Sequence, residues 1–229
     1  MSPLQLDQVP ETRVIPAGRS VRGGGDDDRF TNTTELPRGE IVMEEPFQMS
    51  IFPVTLGDWL AFRDGGEQVS QDKRLPVTRV SWWDATNYCS WLSEETGKRW
   101  RLPTEDEWEY ACRGGTETPF STGHDLSPEQ ANYLYSEYGG RVGVGRLQPV
   151  GTYPPNAFGL YEMHGNVSEW TANSWRPSHD ENALCDETRR VVRGGGWDYL
   201  PRLLRSSWRD SLPPDTKRDD LGFRVVLEA

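Results

Sequence analysis

Residues 76–115 read PVTRVSWWDATNYCSWLSEETGKRWRLPTEDEWEYACRGG, and two helices joined by a short turn follow from them. Ser81 is placed to cap the first, with Asp84 three residues on, a capping box with Asp in place of Glu. Ala85, Tyr88, Cys89, Trp91 and Leu92 then fall on one face at three- and four-residue spacing, and Gly97, Lys98 and Arg99 close the segment. Thr104 caps the second helix, Glu107 completes its box, and Trp108, Ala111 and Cys112 follow before Arg113-Gly114-Gly115 stops it.

N-terminal to this pair, Thr55 caps a shorter helix to about Phe62, with Trp59, Leu60 and Phe62 as its buried candidates. EIVMEEPFQMSIF (40–52) reads as strand from its alternating apolar positions, and RVIPAGRS (13–20) as a first strand. Residues 1–12 read as a loose lead-in to a single domain over 13–229, and GGGDDDR (23–29) as a solvated loop rather than a metal site. Beyond residue 116 helical signals end, and 116–190 reads as loops with short apolar pieces. Two strands, VVRGGGW (191–197) and LGFRVVLEA (221–229), bracket an irregular stretch at 198–220; a stretch this long inside a compact domain is usually functional.

Composition narrows the function. With 23 Gly, 17 Pro and 10 Trp, the chain is loop-rich with an aromatic core rather than a helical bundle. A formal charge of −11 repels phosphate backbones, so nucleic acid is not an expected partner. A mean hydropathy of −0.75 and no long apolar run exclude a helical membrane span. Cys89, Cys112 and Cys185 form no zinc-type cluster, and MSPLQLDQVPETR lacks the apolar centre of a secretory signal. The expectation is a monomer made in a reducing cytoplasm, with a protein or surface ligand as partner and an unknown final display site.

The segment 76–115, with PVGTYPPNAFGLYEMHGNVSEWTANSW (149–175), RVVRGGGW (190–197), RSSWRD (205–210) and LGFRVV (221–226), resembles the formylglycine-generating-enzyme, or sulfatase-modifying-factor, family from about Phe47 to the end. The resemblance implies an α+β fold, a variant of the C-type lectin fold with short antiparallel strands, two main helices and much irregular structure. Family members often bind calcium near GNVSEW, which makes Asn166, Val167 (through its backbone) and Glu169 candidate ligands; the competing reading of Glu169 is a buried carboxylate paired with Arg193 or Arg224. Gly165 there permits a backbone that a Cβ would forbid. A second family calcium site would use Asn132, but GGRVGVGRLQ (139–148) lacks its acid. Active members use two cysteines at the second and seventh positions past the last aromatic of the RGGSW-type motif. Here those positions are Tyr199 and Leu204, which cannot hold copper or exchange disulfides, so no copper and no catalytic residue is expected. His164 reads as a structural histidine, and no GxSxG elbow or phosphate loop is present.

The tail 197–226 also resembles the variable region of diversity-generating-retroelement proteins, many of which use this fold. The fixed parts of that template match Arg193–Trp197, Pro201, Leu204–Arg209 and Leu221–Val226. Its varied positions fall on Asp198, Tyr199, Leu200, Arg202, Leu203, Asp210, Ser211, Leu212, Asp219 and Asp220. Randomised AAY codons exclude Lys, Glu, Gln, Met and Trp, and all ten positions obey. Trp208 joins the candidate binding set by position, yet Trp cannot arise from such a codon and its bulk predicts packing. Together these imply a non-catalytic ligand-binding protein with a diversified face over 198–220. The alternatives are an enzyme of the same family with non-standard chemistry in the same cleft, and an inactive structural paralogue.

Overall fold

The computed structural model describes residues 9–26, 28–63 and 72–228. Among these residues the three α-helices are α1 (Leu56–Phe62), α2 (Trp82–Thr96) and α3 (Glu105–Arg113). Each starts on a reciprocal capping box, Thr55 with Asp58, Ser81 with Asp84 and Thr104 with Glu107, so two otherwise unpaired backbone donors are satisfied at every start. Gly97 and Gly114 end α2 and α3 in the left-handed region at φ 65° and 57°.

Among the described residues ten short strands make three sheets. The first runs β1 (Thr12–Ile15), β4 (Phe47–Ser50), β10 (Val226–Leu227), β5 (Trp100–Arg101), which ties the start of the fold to its end. β2 (Gly18–Arg22) pairs with β3 (Gly39–Met43). The third runs β8 (Asp210–Leu212), β7 (Asp186–Arg193), β6 (Ser168–Trp175), β9 (Leu221–Phe223).

Five strand expectations need correction, the first being LGFRVVLEA (221–229), which is not one strand but β9 and β10 in two different sheets. The single strand over 13–20 is two, broken at Pro16-Ala17 and shared between two sheets; Pro16 has no N–H to continue a ladder. The run 40–52 is likewise split into β3 and β4 around Glu44–Pro46. The loop region 116–190 contains all of β6 and the start of β7. Residues 168–171 of β6 are buried on both faces, which removes the alternation that marks a strand. The pairing of β6 with β9 is parallel, Ser168 opposite Leu221 and Trp170 opposite Phe223, where antiparallel strands were expected.

Three apolar clusters form the core of the described residues, the third of them around Leu204. The first gathers Tyr88 and Leu92 of α2 with Trp170, Leu221 and Phe223; the second sets Trp108 against Ile15, Met49 and Met163. Trp91 is only half-buried at the rim, its ring tilted against Phe62 and Tyr88, and Trp59 and Phe62 of α1 are half-buried too. Among the described residues no helix is long and apolar enough to cross a membrane.

Candidate functional site

The third sheet and α3 hold the tail through buried charge. Glu105 and Glu109 stand one helical turn apart on α3 and point at the same arginines. Arg193 Nη2 donates to Glu109 Oε2 at 2.7 Å and its Nη1 to Glu105 Oε1 at 3.2 Å. Arg113 Nη2 donates to Glu109 Oε1 at 2.7 Å, and Arg209 binds both oxygens of Glu105 at 2.5 and 2.9 Å. Burial alone would raise both carboxyls; the facing guanidiniums outweigh it and hold them below the ordinary range. Arg205 is gripped by Glu35 and by Asp28. Asp28 is therefore buried, which corrects the reading of 23–29 as a solvated loop; Asp27 lies outside the described residues, as do residues 1–8 of the lead-in.

On that frame, the candidate binding positions lie in several surroundings rather than on one face. Asp198 and Asp219 are exposed, and Asp219 pairs with Arg79. Tyr199 is half-buried, its hydroxyl accepting from Arg218, which also grips the buried Asp220. Leu200, Arg202 and Leu203 are half-buried at a 3-10 turn, where the Arg202 N–H donates to Glu137 and its guanidinium lies 5.9 Å from the Phe30 ring centre. Asp210, Ser211 and Leu212 form edge strand β8; Ser211 is buried beside Arg189, and Leu212 packs on the core. Trp208 is half-buried.

The two family thiol positions are sealed differently. Leu204 is fully buried among Phe120, Leu126, Ala131 and Tyr133, and Tyr199 packs against that cluster. The nearby thiol is Cys112, 3.8 Å from both ring nitrogens of His164, and burial pushes it up to about 12. His164 Nδ1 donates to the Leu204 carbonyl at 2.7 Å, leaving Nε2 to accept from the Ser121 N–H at 3.0 Å. Burial holds this imidazole neutral down to about pH 4. Its hydrogen bonds brace Leu204.

Asn166, Val167 and Glu169 were candidate calcium ligands, with a buried ion pair as the competing reading of Glu169, and the donor set does not fit the ion. Both Glu169 oxygens are taken, Oε2 by Trp108 Nε1 and Arg224 Nε at 2.7 Å each, Oε1 by Arg224 Nη2 at 3.0 Å. The guanidinium already supplies the countercharge a cation would bring. Asn166 Oδ1 accepts from Asn132 Nδ2 and from the Gln148 N–H, at 2.9 and 3.0 Å, and Val167, the candidate through its backbone, is fully buried as a whole residue. Among the described residues no group of three or more His, Cys, Asp or Glu is placed to hold a metal. Gly165 is needed as expected: at φ 84°, a Cβ would come within 2.4 Å of the Asn132 carbonyl.

Two open clefts flank the tail. The larger, about 820 Å³, runs between α1 and the tail and is lined by Trp59, Arg63, Arg79, Arg146, Trp197 and Asp219 among others. A second, about 510 Å³, is lined by Phe30, Phe120, Tyr133, Tyr138 and Arg202 among others. Sequence reasoning missed both; in the larger, Trp59 on α1 and Arg63 at its C-cap meet Trp197 and Asp219 only through the tertiary fold.

Comparison with known proteins agrees with this architecture. The structure of PvdO from Pseudomonas aeruginosa superposes with a TM-score of 0.86 at 32% identity, covering 97% of this chain and 95% of that one. Treponema denticola variable protein 1 shares the fold with a TM-score of 0.78 at 21% identity, over 95% of each chain. The mouse protein named inactive C-alpha-formylglycine-generating enzyme 2 is 34% identical over 188 residues, 77% of this chain and 57% of that protein. The chain thus spans about half the length of the curated relatives it matches. The sulfatase-modifying factor enzyme 1-like domain matches residues 1–229, and the chain belongs to that family.

Proposed function

We propose that this chain is a non-catalytic ligand-binding protein of the sulfatase-modifying factor family, and that it binds in the cleft between α1 and the tail. The observation that carries the reading is the state of the two thiol positions: Leu204 is fully buried in an apolar cluster and Tyr199 is hydrogen-bonded to Arg218. The remaining nearby thiol, Cys112, is buried and pushed up to about 12, far from the thiolate that redox or metal chemistry needs. A cleft of about 820 Å³ is in the range of small-molecule sites, and Trp59 and Trp197 give it two aromatic walls. A relative of similar sequence bears a name that calls it inactive.

Diversification of 198–220 by a retroelement is a second reading, favoured by the fold shared with the Treponema variable protein and by the exposure of Asp198 and Asp219. It predicts a reverse-transcriptase gene and an adenine-rich near-copy of the 3′ end beside the coding sequence; their absence from the flanking DNA removes it.

The binding reading is tested by nuclear magnetic resonance with a small-molecule library and ¹⁵N-labelled protein. Hits should shift the indole signals of Trp59 and Trp197 ahead of those of Trp108 and Trp170. Hits that leave both cleft indoles unmoved would place binding elsewhere.

A further inference from the structure

We infer that the cleft selects an anionic small molecule with an aromatic or apolar body; the inference rests on the binding reading above and adds the ligand's charge. The chain carries −11 overall, yet the described lining of this cleft holds three arginines, Arg63, Arg79 and Arg146, against one acid, Asp219. Elsewhere the buried arginines are consumed by carboxylates: Arg113, Arg193, Arg205, Arg209 and Arg224 all sit in ion pairs. Within the described residues, the side chains of Arg63 and Arg146 have no such partner, and both are exposed at the cleft. A positive cleft on a negative protein concentrates anions and repels cations, and a guanidinium pairs with carboxylate, sulfonate or phosphate through parallel hydrogen bonds.

Arg79 adds a second, independent observation. It is one of three described non-glycine residues with positive φ, at 59°, a conformation that costs free energy for a side chain of its size. Its backbone N–H donates to the Arg218 carbonyl at 2.9 Å, which fixes the strained residue to the tail. The conformation sets the guanidinium at the cleft, where it pairs with Asp219, an exposed residue of the same tail. Asp219 therefore competes with any ligand anion for Arg79. The aromatic walls of Trp59 and Trp197 supply the surface for the ligand's apolar body.

The test uses the whole protein and two dyes of opposite charge, anionic 8-anilinonaphthalene-1-sulfonate and cationic thioflavin T. The anionic dye should bind, weaken with added salt, and lose about tenfold or more in affinity in Arg79→Gln/Arg146→Gln. Asp219→Asn should move the other way and tighten it, since Arg79 is then free; a merely structural role for these residues would not give opposite signs. Leu60→Trp, which fills the cleft, should remove binding. If Leu60→Trp removes the anionic dye but the arginine variant binds as well as wild type, the cleft reading stands and the charge inference is overturned. If thioflavin T binds as tightly as the sulfonate, or the sulfonate does not bind, the charge inference is likewise overturned. Binding unchanged in every variant overturns the cleft reading too.

Discussion

Arg205 and Glu35, 170 positions apart in sequence, meet in a two-pronged ion pair, Nη1 to Oε2 at 2.8 Å and Nη2 to Oε1 at 2.7 Å. Both side chains are almost wholly buried, and Asp28 closes on the same guanidinium at 2.5 Å. The pair clamps the C-terminal tail to the loop that precedes β3, so the tail is braced where its side chains leave the frame. Removing one member strands the other's charge in the interior, which costs about 3–5 kcal/mol. Arg205→Ala should lose that much in urea unfolding, whereas Asp198→Ala, at an exposed tail position, should stay within about 0.5 kcal/mol. Equal losses at the two sites would mean that the tail is not held in the way described.

The thiols should divide sharply. Burial pushes Cys89 and Cys112 up to about 12, and Cys185 is exposed. In native protein at pH 8, Ellman's reagent should titrate one thiol rapidly and the other two only after denaturation. Fast reaction of a second thiol would show that Cys112 is accessible and would reopen redox chemistry beside His164.

Glu162 gives a signature in pH. Burial, outweighing the Gly151 N–H that its carboxylate accepts, lifts its folded value from an ordinary 4.5 to about 7. A raised value means the folded state binds the proton more tightly than the unfolded chain. The stabilisation is therefore complete below about pH 4.5 and lost as pH rises through about 7. Glu162→Gln mimics the protonated form, so it should match wild type near pH 4.5 and exceed it by about 3 kcal/mol at pH 8. A stability difference independent of pH would show that Glu162 titrates normally.

Chelation distinguishes the two accounts of Glu169. With Arg224 and Trp108 occupying both carboxylate oxygens, EDTA should leave the melting temperature unchanged, and Glu169→Gln should destabilise equally with and without it. A fall in melting temperature on chelation, restored by calcium, would show that the segment opens to admit the ion.

The helices were legible because their signals are local: Thr55, Ser81 and Thr104 cap with partners three residues away, and Gly97 and Gly114 sit where the backbone must turn left-handed. The strands were less so. β6 is buried on both faces at its start and shows no alternation, and Pro16 divides one apparent strand between two sheets. The ion network was hidden in plain view: Glu105 and Glu109 read as the polar part of a capped helix, and their partners Arg193 and Arg209 lie 84 to 104 residues away. The sequence alternatives for Glu169 included its true partner, Arg224, because few other roles exist for an arginine inside an apolar strand segment. The cleft could not be read at all, since its arginines come from a helix end, a strained turn and a loop.

The absence of formylglycine chemistry is checked by incubating the protein with copper and a Cys-x-Pro-x-Arg peptide and capturing any aldehyde with a hydrazide probe. With Tyr199 and Leu204 in place of the two thiols, no aldehyde should form above the protein-free control. Copper-dependent aldehyde that grows with protein concentration would contradict that expectation.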